Sequence, residues 1–196
     1  MSSLVGQRIV VATQNPGKLR EVGEILGPHG FILCDLVDLR SVDFPAEGTD
    51  YQANAIAKAR AVTEQLGEIA LADDSGIEVE GLGGAPGPLS ARFGGAGLDD
   101  VGRVAHLLSE LSTRPGASRR ARFVCYVAIV TPGGEVQTSF GECGGRIVEA
   151  ARGACGFGYD PIFQPDGLRK TMAELGADEK NVLSHRARAL RALLDS

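Results

Sequence analysis

Apolar and polar positions follow two rhythms along this chain, and the changes of rhythm mark its elements. Arg8–Ala12 is a short apolar run of strand length. Asn15-Pro16 follows, and proline suits the first turn of a helix. That predicts a helix with Leu19, Val22 and Leu26 on one face and Gly27-Pro28 as its stop. A second helix is predicted after Thr49 or Asp50, carrying Ala55, Ile56, Ala59, Val62 and Leu66 inward and ending at Gly67. The period then shortens to that of strands: Ile69-Ala70-Leu71-Ala72, a turn at Asp73-Asp74-Ser75-Gly76, and Ile77-Glu78-Val79-Glu80 leading away. A glycine- and proline-rich loop spans Gly81 to Gly97, after which Asp99 or Asp100 can cap a helix through Val104, Leu107, Leu108 and Leu111. Arg122–Thr131 reads as a strand, Pro132-Gly133-Gly134 as a hairpin turn into Val136–Phe140, and Arg146-Ile147-Val148 as a further short strand. The tail from Ser184 to Leu194 is helical, with Leu190, Leu193 and Leu194 apolar. Helices mixed with strands and at least one hairpin predict an α/β fold whose sheet contains antiparallel pairs. Repeats, linkers and low-complexity tracts are lacking, so residues 1–196 are taken as one domain.

Composition narrows the function more than the fold. The 196 residues carry a formal charge of −5, which argues against a protein that coats nucleic acid. Basic residues do gather at Arg114–Arg122, read as a solvated loop, and at Lys180–Arg191. No apolar run reaches membrane-spanning length, and the first residues lack the layout of a signal peptide, so a cytoplasmic protein with no membrane partner is expected. Cys34, Cys125, Cys143 and Cys155 show neither pairing nor metal-ligand spacing, as reduced cysteines of a cytosolic protein would. The three histidines are dispersed, which disfavours zinc.

Four segments have the residue types for chemistry. Asp73-Asp74 at a strand end is ordinary turn chemistry in isolation, yet clustered carboxylate oxygens also suit a hard cation. Thr13-Gln14-Asn15-Pro16-Gly17-Lys18 sits where a strand hands over to a helix, and unpaired amides there with a lysine would hold an anion. It is not a Walker A loop, because the leading glycine is missing and Leu19 follows the lysine. Gly156-Phe157-Gly158-Tyr159-Asp160-Pro161 offers two aromatics for stacking on a base, or for filling a core. Lys180 and Ser184-His185-Arg186 place cations in a first helical turn, where the helix dipole does not favour them.

Together, ATQNPGK, ADDSG followed by GLGGAPGPLSARF, GFGYDPIF and EKNVLSHR, in this order, resemble the inosine triphosphate pyrophosphatase family. The resemblance extends from Ile9 to about Leu193. It implies an elongated α/β fold, a mixed central sheet flanked by helices, with two lobes and an active-site cleft between them, and a homodimer. The implied reaction is hydrolysis of purine nucleoside triphosphates outside the standard set (ITP, dITP and XTP) to the monophosphate and pyrophosphate, with Mg²⁺. Carried over by position, Thr13, Gln14, Asn15, Pro16, Gly17 and Lys18 match the triphosphate segment, and Lys58 a further phosphate-binding lysine. Asp74 matches the proton acceptor and metal ligand, Asp73 its neighbouring acid, and Ser75 a substrate contact. Phe157, Gly158, Tyr159 and Asp160 match the nucleoside segment, while Lys180, His185 and Arg186 match residues reaching base and phosphates. The family's metal-binding glutamate is displaced here within Phe44–Asp50, and Glu47 is its counterpart. Gln14 and Leu89 are smaller departures, from a glycine and a tyrosine. A related pyrophosphatase for modified pyrimidine nucleotides and a non-catalytic nucleotide sensor are the alternatives.

Overall fold

Strands buried on both faces along most of their length and an apolar face on the long helices generate the architecture. The structure, a computed structural model, describes residues 4–36, 41–95 and 97–195. Strands β1 (Arg8–Val11), β2 (Ile32–Asp35), β3 (Ile69–Val79), β4 (Arg120–Val130), β5 (Val136–Ile147) and β6 (Phe163–Pro165) form one sheet in the order β2-β1-β3-β4-β5-β6. β1 runs parallel to β2 and β3, and β5 antiparallel to β6, which makes the sheet mixed, as expected. The helices are α1 (Pro16–Leu26), α2 (Tyr51–Leu66), α3 (Asp100–Ser112), α4 (Ala177–Leu183) and α5 (His185–Leu194).

The chain divides into two compact units, Met1–Asp74 with Cys125–Gly141 and His185–Ser196, and Ser75–Val124 with Glu142–Ser184. In the first unit, strand alternation separates two cores. Ile9, Val11, Leu71, Cys125, Val127 and Ile129 pack with Val22 and Leu26 of α1 and Leu190 and Leu193 of α5. Val10, Ala12, Ala70, Ala72, Ala128 and Val130 pack on the other face, with Ala55, Ala59 and Val62 of α2. Each Ile, Leu or Val so buried contributes roughly 1.5–3 kcal/mol against exposure. In the second unit, α3 lays Val104, Leu107 and Leu111 against Ile77, Phe123, Ile147 and Phe163.

Helix ends follow the capping rules. Asn15 caps α1, Asp50 caps α2 and Asp99 caps α3, each through its side-chain oxygen. α2 ends at Gly67 in the left-handed region.

Three expectations are corrected. Asp73-Asp74-Ser75-Gly76 is not a turn: it lies inside the uninterrupted β3. Arg146-Ile147 closes β5 rather than starting a strand, and Arg120, expected in a loop, stands on β4 with Arg122. On β4, Arg120 pairs with Asp166 and Arg122 with Glu78 and Glu142. β2, β6 and α4 were not foreseen.

Candidate active site

Adjacent strand residues point to opposite faces of a sheet, and β3 uses this to separate its two carboxylates. Asp73 continues the Leu71 side, toward α1 and α5, and Asp74 continues the side of Ala70 and Ala72, toward α2. Both are buried, at 5% exposure, so each needs a partner.

On the α1–α5 side, Asp73 Oδ2 accepts from Lys18 Nζ at 2.8 Å and from Arg186 at 3.0 Å. Arg186, first-turn residue of α5, also donates to Glu21 of α1, and the Cys125 thiol lies 3.9 Å from the same Asp73 oxygen. Glu21 follows Lys18 by three residues, so both project from one side of α1. Burial pushes the Asp73 carboxyl up, but Arg186, Lys18 and Lys58 outweigh it and hold the group well below the usual aspartate range. Burial together with Asp73 pushes the Cys125 thiol far above its ordinary value, so it stays protonated.

On the α2 side, Asp74 Oδ1 accepts from Lys58 Nζ at 2.7 Å and Oδ2 from Asn54 at 3.0 Å. Asn54 and Lys58 stand four residues apart on one face of α2. Lys58 Nζ also reaches Glu47 at 3.1 Å, and Asn54 holds the Glu47 segment through the N–H and C=O of Gly48. Here burial prevails: it raises the Asp74 carboxyl although Lys58 and Asn54 pull it down. Lys58 is raised in turn, because Asp74, Asp73 and Glu47 outweigh its burial.

Two carboxylates sharing one ammonium form a spot that hard oxygen chemistry suits, and Asp74 with Glu47 therefore fits a divalent cation. Asp73 belongs to the other face, neutralised by Lys18 and Arg186. Thus Asp73, Asp74 and Glu47 do not form one cluster, and no three His, Cys, Asp or Glu side chains among the described residues gather around one point.

The segment expected to present free amides is differently arranged. Gly17 and Lys18 donate their N–H groups to Asn15 Oδ1, at 2.8 and 3.3 Å, while Asn15 donates its own to Thr13 Oγ1. Gln14, Asn15 and Pro16 are exposed, and Ser75 is half-buried on β3. What this segment holds ready is the Lys18 ammonium, parked on Asp73.

The second unit carries the aromatic segment, tied down at each residue. Asp160 Oδ2 accepts from the Phe157 N–H at 2.9 Å and from Lys180 Nζ at 2.5 Å, a bond 20 residues long in sequence and closed by α4. Gly156 is obligatory: its φ is +77°, and a Cβ there would stand 2.1 Å from Asp160 Oδ2. Tyr159 is buried, donating its hydroxyl to the Ser90 carbonyl at 2.8 Å, and it packs in the core with Ile77 and Phe163. Of the two aromatics, then, Tyr159 fills the core and Phe157, half-buried with Lys180 Nζ 4.8 Å from its ring, remains for stacking. His185 is buried at the start of α5, in the first unit, and Arg186 is 1% exposed.

Sequence reasoning passed over Glu21 and Ser90, took Asp100 only as a possible helix cap, and did not give Asn54 a role. Spacing is the signal for two of them, Glu21 three residues after Lys18 and Asn54 four before Lys58; nothing local marks Ser90.

A six-stranded mixed α/β fold with lysines parked on strand carboxylates is the class of protein these features define. The family follows directly: the model of the Ham1 family matches residues 9–196, and the chain belongs to that family. A dITP/XTP pyrophosphatase of Bacillus subtilis is 44% identical over 194 residues, covering 97% of this chain and 96% of its own. Among solved structures, a HAM1 protein from Coxiella burnetii is similar with a TM-score of 0.85 at 36% identity, over 94% of each chain. The nucleoside-triphosphatase, or dITP/XTP pyrophosphatase, of Mycobacterium abscessus reaches 0.76 at 43% identity, over 97% of this chain and 100% of its own.

Proposed function

We propose that this protein hydrolyses ITP, dITP and XTP to the monophosphate and pyrophosphate, as a cytoplasmic homodimer that clears these nucleotides from the pool. Relatives named dITP/XTP pyrophosphatase support the substrate class. The observation that carries the chemistry is the opposed pairing on β3: one buried carboxylate held ionised beside Lys18, its neighbour raised toward proton-accepting strength beside Lys58.

The resting ion pairs are the key to the mechanism. A nucleoside triphosphate brings about four negative charges, and lysine ammoniums on flexible stems transfer readily from a carboxylate to a phosphate. Lys58 leaving Asp74 for the phosphates exposes a carboxylate whose affinity for a proton burial has already increased. Asp74 then takes a proton from water as the water oxygen bonds to the α-phosphorus. The bond from that phosphorus to the bridging oxygen breaks, and pyrophosphate leaves with its charge held by Lys18 and Lys58. Asp74 and Glu47 would hold Mg²⁺, which supplies charge neutralisation on the phosphates. Asp73 stays ionised throughout and anchors Lys18. Phe157 stacks on the base, and Lys180, whose Nζ stands 4.8 Å from that ring, offers the base a polar group.

Four free cysteines accord with a reducing compartment, and none of the described helices is long and apolar enough to cross a membrane. The formal charge of −5 supports a small-molecule partner over nucleic acid.

Stacking alone accepts any purine, so discrimination falls to polar groups: matching a 6-oxo edge leaves the 6-amino group of ATP without a partner, and GTP, which shares the 6-oxo group, is rejected at its 2-amino group. In an assay of pyrophosphate release across a nucleoside triphosphate panel, kcat/KM for ITP, dITP and XTP should exceed that for ATP and GTP by at least about a hundredfold. That ratio is roughly 2.7 kcal/mol of differential transition-state binding. Equal kcat/KM for ATP and ITP would remove the substrate assignment.

A further inference from the structure

Asp99 and Asp100 open α3 side by side, and only one of them is needed there. Asp99 is the N-cap, its Oδ1 accepting from the Gly102 N–H at 2.8 Å. Asp100 is therefore free for another task, and its carboxylate is spent on two bonds away from the helix backbone. Oδ2 accepts from the Gly158 N–H at 2.7 Å, and Oδ1 from Arg103 at 2.5 Å. The Arg103 guanidinium donates in addition to the carbonyls of Ala91 and Leu98.

These bonds converge on the aromatic segment from the side opposite in sequence to Lys180. The Tyr159 hydroxyl binds the Ser90 carbonyl, next to the Ala91 carbonyl that Arg103 takes, and Ser90 Oγ accepts from the Ile77 N–H of β3 at 2.9 Å. Gly158 itself has φ +61° and open space where a Cβ would stand. The peptide that joins Phe157 to Gly158 is held at both ends: its carbonyl accepts from the Asp160 N–H at 3.3 Å and its N–H donates to Asp100 at 2.7 Å, the shorter of the two bonds. Burial works against the charge of Asp100, yet the bonds from Arg103 and Gly158 prevail and keep its carboxyl below the ordinary range.

We infer that Asp100, braced by Arg103, is a positioning residue for nucleotide binding: it pins the Gly158 peptide and so presets the Phe157 ring for the base. This rests on the assignment of Phe157–Asp160 as the nucleoside segment. The carboxylate touches the loop backbone rather than the substrate, so its loss should weaken nucleoside binding without touching the phosphate chemistry. With 47% of its side chain exposed, Asp100 can be replaced at little cost to the core.

The test compares Asp100→Ala, Asp100→Asn, Asp99→Ala and Phe157→Ala in the full-length protein, with ITP as substrate and IMP and inorganic tripolyphosphate as inhibitors. Asp100→Ala should raise KM for ITP and the inhibition constant of IMP by about tenfold, the scale of one lost charge-assisted hydrogen bond. Its kcat and its inhibition by tripolyphosphate should stay within about twofold of wild type. Asp100→Asn keeps an oxygen for Gly158 and should recover part of the loss. Asp99→Ala removes a helix cap only, so it should lower Tm with KM unchanged. The inference is overturned if Phe157→Ala raises KM while Asp100→Ala does not, an outcome that leaves the nucleoside segment in place. Unchanged KM in both variants would instead remove the segment's assignment and the inference with it. Equal weakening of IMP and tripolyphosphate by Asp100→Ala would also overturn it, by showing a general structural defect.

Discussion

Asp74→Asn should leave a folded protein that still binds ITP but turns it over on the order of a thousandfold more slowly. The protein survives because the substitution keeps one of the two local bonds: asparagine retains one oxygen, for Asn54 or for Lys58, and Lys58 keeps Glu47 at 3.1 Å. Turnover does not survive, because an amide cannot accept a proton from water near neutral pH. The contrast with its neighbour makes the assignment specific. Asp73, held ionised by Arg186 and Lys18, is too weak a base, whereas burial raises Asp74 toward useful strength. Asp73→Asn should accordingly act through Lys18 and through stability rather than through loss of a base. Measuring Asp74→Asn at rising Mg²⁺ separates ligand from base: activity restored by saturating metal would confine Asp74 to holding the cation. Near-normal turnover in Asp74→Asn at ordinary metal would dismiss the mechanism.

How much of this was legible beforehand depends on the range of each interaction. β1, α1, α2, α3 and α5 follow from short-range rules, and Asn15, Asp50 and Gly67 mark boundaries that side-chain caps and a left-handed glycine decide locally. Asp73-Asp74-Ser75-Gly76 misleads for a long-range reason. Its residue types favour turns, but β3 neighbours β4 in the sheet and carries the segment on as strand beyond Leu71, where its pairing with β1 ends. The buried charges that would forbid a strand are met by Lys18, Lys58 and Arg186, the last 113 residues away. Glycines in β5 mislead similarly. Gly141 and Gly145 look like breaks, yet a Cβ at the first would meet the His185 carbonyl at 2.3 Å, and at the second the Gln164 carbonyl at 2.4 Å. They permit close approach within a continuous strand. Motif order proposed the site residues but not their partners. Arg186 looked like a hand for the substrate because the helix dipole disfavours a cation there, and the anions that answer it are Asp73 and Glu21 of the protein itself.

That placement makes Arg186 the most consequential side chain for stability. Arg186→Met conserves bulk and removes the charge, leaving Asp73 and Glu21 buried without their guanidinium. Breaking a buried pair from one side costs about 3–5 kcal/mol, enough to lower Tm by roughly 10 °C in a chain of this size. The pH dependence carries the sign. Asp73 has its folded-state pKa depressed, so its contribution is full above the unfolded value of about 3.9 and is lost as pH falls through the folded one. Without Arg186 that depression shrinks, so the stability gap between wild type and Arg186→Met should be full near neutral pH and narrow as pH falls below about 4, toward the folded-state value. Asp73→Asn added to Arg186→Met removes one stranded charge and should recover part of the loss, a non-additivity that contact between the two demands. If Arg186 acted on substrate instead, Arg186→Met would keep its Tm, respond to pH as wild type does, and fail only in kcat/KM. Thermal unfolding of the two single variants and the double variant between about pH 2 and pH 8 distinguishes these cases, because only a stranded carboxylate links the lost stability to its own protonation.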